Sequence, residues 1–580
     1  MPFGSSKKTA ASPHENIFTV NIGGAAGDGA REAGVSLAEL LNDLNFEAFV
    51  SFDYPSLIRG GHNFSRVSFS GEKIHSDHSA LDVLVALNEE TLKVHRDELH
   101  KDAVVLADSF EKEDMERFGA NAIVLPMKEF AQQIGAPPIT RTSAALGAVC
   151  YLLGFSLDDV KAILNDVFKN KSLEANLKLA EMGYEHLEKL QFRHWKKLTP
   201  LRANNAELTD GNTAFGKGLV AAGLDFYFAY PMTPSSSILH FLAKQQKEYK
   251  IKVVQPESEL AVVNMALGAA YAGKRTAVGT ATGGFALMQE AFALSGIAEL
   301  PLAIAVSQRY APATGVPTYT SQGDLQFILH SGHGEFPRIV LAPGDPQEAF
   351  ICGAEALNLA WKYQTPVIVL LDKQLSESLE TIPALDPGKI KTERGKILEG
   401  APQNYRRYEI APDGVSPMVF PGTPGAVVKV DSYEHDESGL ATDEAEMVKA
   451  MGDKRFAKAD GIAKEMGTRE TVKVYGDKNS RNVVVFWGST KGAVLEAAKY
   501  LTKPAKLLQI VWMEPFDAEK VAAELSGAKT IIDVEVNRTA QLAALIREKT
   551  GIAVHKKILQ YNARPFDPLE LAEKIDNLLQ

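Results

Sequence analysis

A chain of 580 residues exceeds what one hydrophobic core fills, so about three or four domains are expected. Its 45% hydrophobic and 23% charged residues describe an ordinary globular protein, and a net charge of −11 excludes one built to neutralise nucleic-acid phosphates. No apolar run reaches the roughly 20 residues of a membrane span. The start Met-Pro-Phe-Gly-Ser-Ser-Lys-Lys lacks the apolar stretch of a secretory signal, so a cytoplasmic location with no membrane partner is expected. Cys150 and Cys352 lie far apart in apolar surroundings and read as buried thiols. An iron-sulfur cluster takes about four thiolates, more than this chain can supply.

After a polar tail, residues 1–16, residues 17–23 read as a strand running into the turn Gly23-Gly24-Ala25-Ala26-Gly27-Asp28-Gly29 and a helix over 30–44. Apolar runs at 83–87, 103–107 and 122–125 are expected as buried strands of a parallel sheet, and 156–168 and 172–190 as helices. This first α/β domain spans 17–192. A second, over 193–384, alternates strands at 226–229, 277–280, 302–306 and 366–371 with helices and reads as doubly wound. Residues 385–474, rich in proline, glycine and acid, form a linking or inserted segment with one long charged helix over 443–465. Strand and helix alternation resumes over 475–580, a third α/β domain.

Three stretches carry chemistry. The turn at Gly24 and Gly27 follows a strand and opens a helix, where backbone amides and the helix dipole hold a phosphate; a purely structural turn is the competing reading. The turn Tyr230-Pro231-Met232-Thr233-Pro234-Ser-Ser-Ser is stiffened by its prolines, and its serines offer helix caps. Glu257 and Glu259 open a helix whose Ala, Gly and Val surface suits packing against another domain or chain; acids at a helix start are also favoured by the dipole alone. A carboxyl in such a setting has its charged form disfavoured by desolvation and can share a proton with a ligand nitrogen. Arg309 falls at the C-terminal end of a predicted strand, where ligands collect in open α/β sheets, and an arginine there can hold a carboxylate through two parallel hydrogen bonds. His330 and His333 are weaker candidates for substrate contact.

The Tyr-Pro-Met-Thr-Pro-Ser-Ser turn, the Glu-Ser-Glu helix, Ala281-Thr-Gly-Gly-Phe-Ala-Leu-Met, the Arg309 strand, Gln322-Gly-Asp-Leu and Gly332-His-Gly-Glu-Phe-Pro-Arg together resemble the alpha subunit of 2-oxoacid:ferredoxin oxidoreductases. The 2-oxoglutarate type with an N-terminally fused gamma domain is the best match. The resemblance implies a multidomain α/β chain: a gamma domain, a doubly wound pyrimidine-type thiamine diphosphate domain and a transketolase C-terminal-like domain. It implies that Glu259, with Glu257 the alternative, bonds the aminopyrimidine of thiamine diphosphate, favouring the imino tautomer that takes the C2 proton. By the same resemblance Thr233 and Arg309 hold the substrate carboxylate, Tyr230 and Pro231 lie at the cofactor, and Gly24, Gly27, Arg59 and His62 lie near the coenzyme A path.

A beta subunit would bring Mg2+ and a [4Fe-4S] cluster in an (αβ)2 assembly that reduces ferredoxin. Gly27-Asp28-Gly29 also matches the start of a thiamine diphosphate magnesium motif, but residues 51–61 lack the required asparagine, so no metal site is expected on this chain. The implied reaction joins 2-oxoglutarate and coenzyme A to give succinyl-coenzyme A, CO2 and reduced ferredoxin, in principle reversibly. The alternatives are a pyruvate or branched-chain 2-oxoacid oxidoreductase, a nucleotide-dependent dehydrogenase using the first glycine loop, and a noncatalytic assembly subunit.

Overall fold

The computed structural model describes residues 17–55, 60–167, 173–192 and 205–579. These form two compact units. One comprises the described residues up to Leu208 with Ser378–Ala384 and Asp567–Leu569; the other comprises the remainder. Both are α/β, and no described helix is long and apolar enough to cross a membrane.

The first unit holds an eight-stranded sheet in the order Ala122–Val124, Leu99–Ala107, Leu81–Ala86, Ile17–Ala26, Gly60–Ser70, Glu47–Asp53, Leu379–Pro383, Ala206–Thr209. The expected parallel sheet is half of it. Ile17–Ala26, Leu81–Ala86, Leu99–Ala107 and Ala122–Val124 run parallel, whereas Gly60–Ser70 is antiparallel to Ile17–Ala26 and to Glu47–Asp53. The pattern Gly-Gly-His-Asn-Phe-Ser-Arg-Val-Ser-Phe-Ser alternates too weakly to announce a strand, yet Ser65, Val67 and Phe69 are buried. Helices Ala30–Asp43, Leu157–Val167 and Leu173–Lys189 match expectation. A helix at Thr142–Leu152 has no polar face to signal it, because every residue in it is buried. It packs on Leu173–Lys189 through glycines: a Cβ at Gly147 would lie 2.0 Å from Ala180 O, and one at Gly183 2.0 Å from Ala144 O.

In the second unit a seven-stranded sheet runs Trp512–Glu514, Ile339–Leu341, Pro366–Asp372, Leu302–Gln308, Thr276–Ala281, Phe226–Phe228, Lys252–Val254, parallel except for the first strand. Leu302–Gln308 and Pro366–Asp372 are buried along their whole length, as near-continuous apolar runs in a parallel sheet require. A five-stranded sheet follows in the order Val472–Gly476, Lys506–Ile510, Asn482–Phe486, Thr530–Glu535, Lys556–Leu559. Side chains of both sheets, among them Val306, Leu325, Val485, Trp487 and Leu542, share one apolar core.

Residues 385–471 carry the expected long helix, Ala445–Met466, whose cations are buried against the seven-stranded sheet's own segment. Lys454 and Lys458 each place Nζ 2.5 Å from a carboxylate oxygen of the fully buried Glu299, and Arg407 donates to the Glu299 carbonyl at 2.8 Å. Burial raises the Glu299 carboxyl, but Lys458, Lys454 and Arg407 more than offset this and hold it well below the usual range. Burial pushes Lys458 down to about 8 despite Glu299. Removing the shared anion leaves buried ammoniums uncompensated, so Glu299→Gln should lower the unfolding free energy of the purified protein, read by urea denaturation, by about 3–5 kcal/mol.

Asp533, inside Thr530–Glu535, is fully buried, and its neighbours in charge are Glu535 and Lys557. Burial, then Glu535, pushes its pKa well above 3.8. A raised folded-state pKa gives stability that is full below the unfolded value and lost as pH rises through the folded one. The unfolding free energy measured against pH should therefore fall more steeply for wild type than for Asp533→Asn, by up to about 1.4 kcal/mol per pH unit between those two values.

Candidate active site

The chain leaves Phe226–Phe228 into a turn with a cis peptide at Thr233-Pro234, then enters the helix Ser236–Gln245. Asn212, fully buried, donates through Nδ2 to Pro234 O at 2.8 Å and to Ser237 Oγ at 2.7 Å, and Ser235 Oγ donates back to Met232 O. The serines thus fasten the turn; Ser235 makes no side-chain cap to its helix. Tyr230 and Pro231 are exposed.

At the end of Leu302–Gln308, Arg309 turns back and donates from Nη1 to the Thr233 carbonyl at 2.9 Å, which unites two of the candidate residues. Burial lowers the Arg309 pKa. Its fork keeps further donors beyond the one that Thr233 takes.

The two glutamates part company. Ser258 caps the helix Glu259–Tyr271 by accepting from the Ala261 amide, which makes Glu259 its first residue and leaves Glu257 outside and exposed. Glu259 is 4% exposed and its Oε1 is buried without a hydrogen-bond partner. Gly284 permits this: a Cβ there would lie 2.1 Å from Thr280 Oγ1 and 2.7 Å from Glu259 Oε1. Gly284 belongs to the helix Thr282–Leu287, which starts where Thr276–Ala281 ends.

Thr282 Oγ1 donates to Asp324 Oδ2 at 2.8 Å, and the Asp324 amide donates to Gln308 Oε1 at 3.1 Å. Burial raises the Asp324 carboxyl and the Thr282 hydrogen bond partly opposes it. Thr282, Gly284 and Asp324 fall in the Thr-Gly-Gly and Gln-Gly-Asp-Leu runs that carry the resemblance, which gives them no individual role, and Gln308 has no signal of its own. His330 is exposed and bonds the Gln326 carbonyl of its own turn, and His333 is exposed. Neither is bonded to Glu259, Thr233 or Arg309.

Large apolar side chains are exposed on the helices that carry Glu259, Gly284 and Leu325. Leu260 (55% exposed), Met265 (45%), Leu287 (53%) and Phe327 (39%) face outward, and a Cβ at Gly268 or Gly283 would meet open space.

In the first unit Gly24 lies inside the strand, paired with Asn63, because the glycine run continues Ile17–Ala26 rather than opening a turn. The turn is shorter. Gly27 and Gly29 have φ of 94° and 83°, and Asp28 closes it by accepting from the Ala25 amide and pairing with Arg141. A cavity of about 280 Å3 beside it is lined by Gly27, Gly29, Arg31, Phe52, Tyr54 and Asn63, with Asn63 Oδ1 buried and unpartnered. His62 instead meets His95 Nε2 to Nε2 at 2.8 Å, with His95 held by Glu98. Arg59 lies outside the described residues.

The family model described as pyruvate flavodoxin/ferredoxin oxidoreductase, thiamine diphosphate-binding, matches residues 217–454, and that of pyruvate ferredoxin/flavodoxin oxidoreductase matches 19–186. The 2-oxoacid:ferredoxin oxidoreductase alpha subunit of a Sulfolobus species is 33% identical, covering 96% of each chain. This chain belongs to that alpha-subunit family. The 2-oxoglutarate oxidoreductase subunit KorA of Mycobacterium tuberculosis is 30% identical over 92% of this chain and 87% of its own. A solved 2-oxoglutarate:ferredoxin oxidoreductase from Magnetococcus marinus, with 2-oxoglutarate, coenzyme A and succinyl-CoA bound, superposes with a TM-score of 0.89 at 30% identity, covering 98% of this chain and 100% of that one.

Membership makes the chain a subunit of an oxidoreductase with a thiamine diphosphate-binding domain. The residues present fit that cofactor: a buried carboxylate oxygen free of protein donors suits a ring nitrogen bearing a proton. Overpacking a well-filled site costs about 1–3 kcal/mol. Gly284→Ala should thus weaken thiamine diphosphate binding to the assembled enzyme by about tenfold or more, read by calorimetric titration.

Proposed function

We propose that the chain is the alpha subunit of a 2-oxoglutarate:ferredoxin oxidoreductase, which converts 2-oxoglutarate, coenzyme A and two oxidised ferredoxins to succinyl-coenzyme A, CO2, a proton and two reduced ferredoxins, or runs in reverse. The observation that carries the reading is Glu259 Oε1, buried without a protein donor near the strand ends that bring Arg309 to Thr233. The relative solved with 2-oxoglutarate and succinyl-CoA supports the substrate.

Bound thiamine diphosphate supplies a nucleophilic carbon and an electron sink. The chain's own part is to place protons and charge. Glu259 holds a proton at the aminopyrimidine nitrogen and sets its tautomer. Glu257, exposed, leaves that role to its neighbour. Arg309 offers its remaining N–H groups to the substrate carboxylate, with Thr233 beside it. Tyr230 and Pro231 form the outer wall at the cofactor. In the first unit, Gly27 and the helix start at Ala30 offer amides to a coenzyme A phosphate.

The exposed Leu260, Met265, Leu287 and Phe327 support a beta subunit covering this face, where water would otherwise screen the carboxylate. That subunit carries Mg2+ and a [4Fe-4S] cluster, the assembly is (αβ)2, and it works in the cytoplasm.

A second reading, a broader 2-oxoacid oxidoreductase that takes pyruvate or branched-chain substrates, is favoured by the relatives named for 2-oxoacids in general. Reduction of viologen by the co-purified complex with a panel of 2-oxoacids separates the two: 2-oxoglutarate should dominate. In the same assay Glu259→Gln should lower turnover by about 10²- to 10⁴-fold while the complex still assembles. Unchanged turnover in that variant would return the chain to a noncatalytic assembly role.

A further inference from the structure

Gln322 is fully buried in the loop ahead of helix Leu325–Leu329, and every polar atom it owns is taken by the five-stranded sheet or by the loops that follow its strands. Its amide donates to Val536 O at 2.7 Å, and its carbonyl accepts from Asn537 Nδ2 at 3.0 Å. Its side-chain Oε1 accepts from the Val536 amide at 2.9 Å, and its Nε2 donates to Trp487 O at 2.8 Å. Behind these contacts stands Glu535, whose Oε2 accepts from both Trp487 Nε1 and Asn537 Nδ2 and whose Oε1 accepts from the Leu542 amide. Gln541 extends the grip, donating to Gly323 O and accepting from the Gln326 amide.

Two residues on, the same loop reaches the other sheet. Asp324 joins Thr282, at the head of the helix whose Gly284 backs Glu259, and joins Gln308, the residue before Arg309. Gln308 is itself fully buried and donates to Leu371 O. The loop therefore spans from the carboxyl ends of one sheet to Thr282 and Gln308 of the other, each beside a candidate catalytic residue. Holding apolar surfaces together needs none of this; an amide satisfied on all sides fixes a position, because any shift strands a buried donor or acceptor.

We infer that Gln322 is a positioning residue of the reaction, held by the five-stranded sheet so that Asp324 fixes Thr282 and Gln308, and through them Glu259 and Arg309. This rests on the roles proposed for Glu259 and Arg309. Asp324 needs no contact with substrate. It sets where the two working groups stand.

The test uses the full complex loaded with thiamine diphosphate, with methyl viologen as acceptor and the near-ultraviolet circular dichroism of the imino tautomer as a readout independent of turnover. Gln322→Ala should lower kcat by about 10- to 100-fold and weaken the tautomer signal, as misplacement of reacting groups does. Thr282→Val should act in the same direction, and Thr282→Ser should restore both readouts. The double variant Gln322→Ala with Thr282→Val should be no worse than the more damaged single one, since both cut the same chain of contacts.

The inference is overturned if Gln322→Ala lowers only the melting temperature, with kcat and the tautomer signal at wild-type values, or if the two losses multiply. Should Gln322→Ala fail to assemble, Thr282→Val against Thr282→Ser decides, and a wild-type kcat in the valine variant sinks the idea. A wild-type complex that turns over no 2-oxoacid overturns the functional reading instead, and the tautomer signal still reads the effect of Gln322.

Discussion

A carboxylate oxygen buried without a hydrogen-bond donor is the constraint around which the second unit is organised. Leaving Glu259 Oε1 unpaired costs about 1–3 kcal/mol. The fold lessens that cost by setting Glu259 first in its helix, where the dipole favours an anion, and by using Ser258 to cap the helix. It does nothing to supply the missing donor. Gly284, which has no side chain, leaves room beside Glu259 Oε1 and offers it no donor, so the proton partner comes from a ligand in the proposed reading.

The two ends of the seven-stranded sheet do different work. Arg275, just before Thr276–Ala281, donates to Glu393 O and Asn358 Oδ1, and Glu299, just before Leu302–Gln308, gathers Lys454, Lys458 and Arg407. The hydrogen bonds of Arg275 to Glu393 O and of Arg407 to Glu299 O, with the two Glu299 ion pairs, bind residues 385–471 to the amino ends of these strands. At the carboxyl ends of the same strands stand Thr282 and Arg309, with Thr233, beyond Phe226–Phe228, bonded to Arg309, at the strand ends where open α/β sheets place their ligands. The ion cluster explains how a segment rich in proline, glycine and charge becomes fixed: it contributes cations to an anion that the sheet already buries.

Legibility in the sequence followed the range of the interaction. Strand runs such as 302–306 and 366–371 were readable because a parallel strand buried on both faces must be apolar throughout. Glu259 stood out because it opens the run of small apolar residues that follows it directly in sequence. Even the choice between Glu257 and Glu259 was local, since Ser258 as the cap puts one acid inside the helix and the other outside. The helix Thr142–Leu152 was hidden because complete burial erases periodicity, and Gly24 misled because a glycine run inside a strand looks like a turn. Gln322 and Asp324 stood in the Gln-Gly-Asp-Leu run, but their contacts could not be read from it. Gln322 meets residues more than 160 positions away, and no spacing within its own loop encodes that.

Glu259 and Leu260 state the logic of the site in two consecutive positions. One is 4% exposed and charged by type; the next is 55% exposed and apolar. For an isolated surface helix that arrangement is inverted, with the polar residue inside and the hydrophobic one out. It becomes sensible if the helix is covered from outside: the apolar rim of Leu260, Met265 and Leu287 is then buried by a second chain, and the same contact removes water from above the carboxyl. Coverage and catalysis are thereby tied to one helix turn, so a chain that binds its neighbour through this rim acquires, by the same contact, the dry surroundings in which a carboxyl can direct a proton.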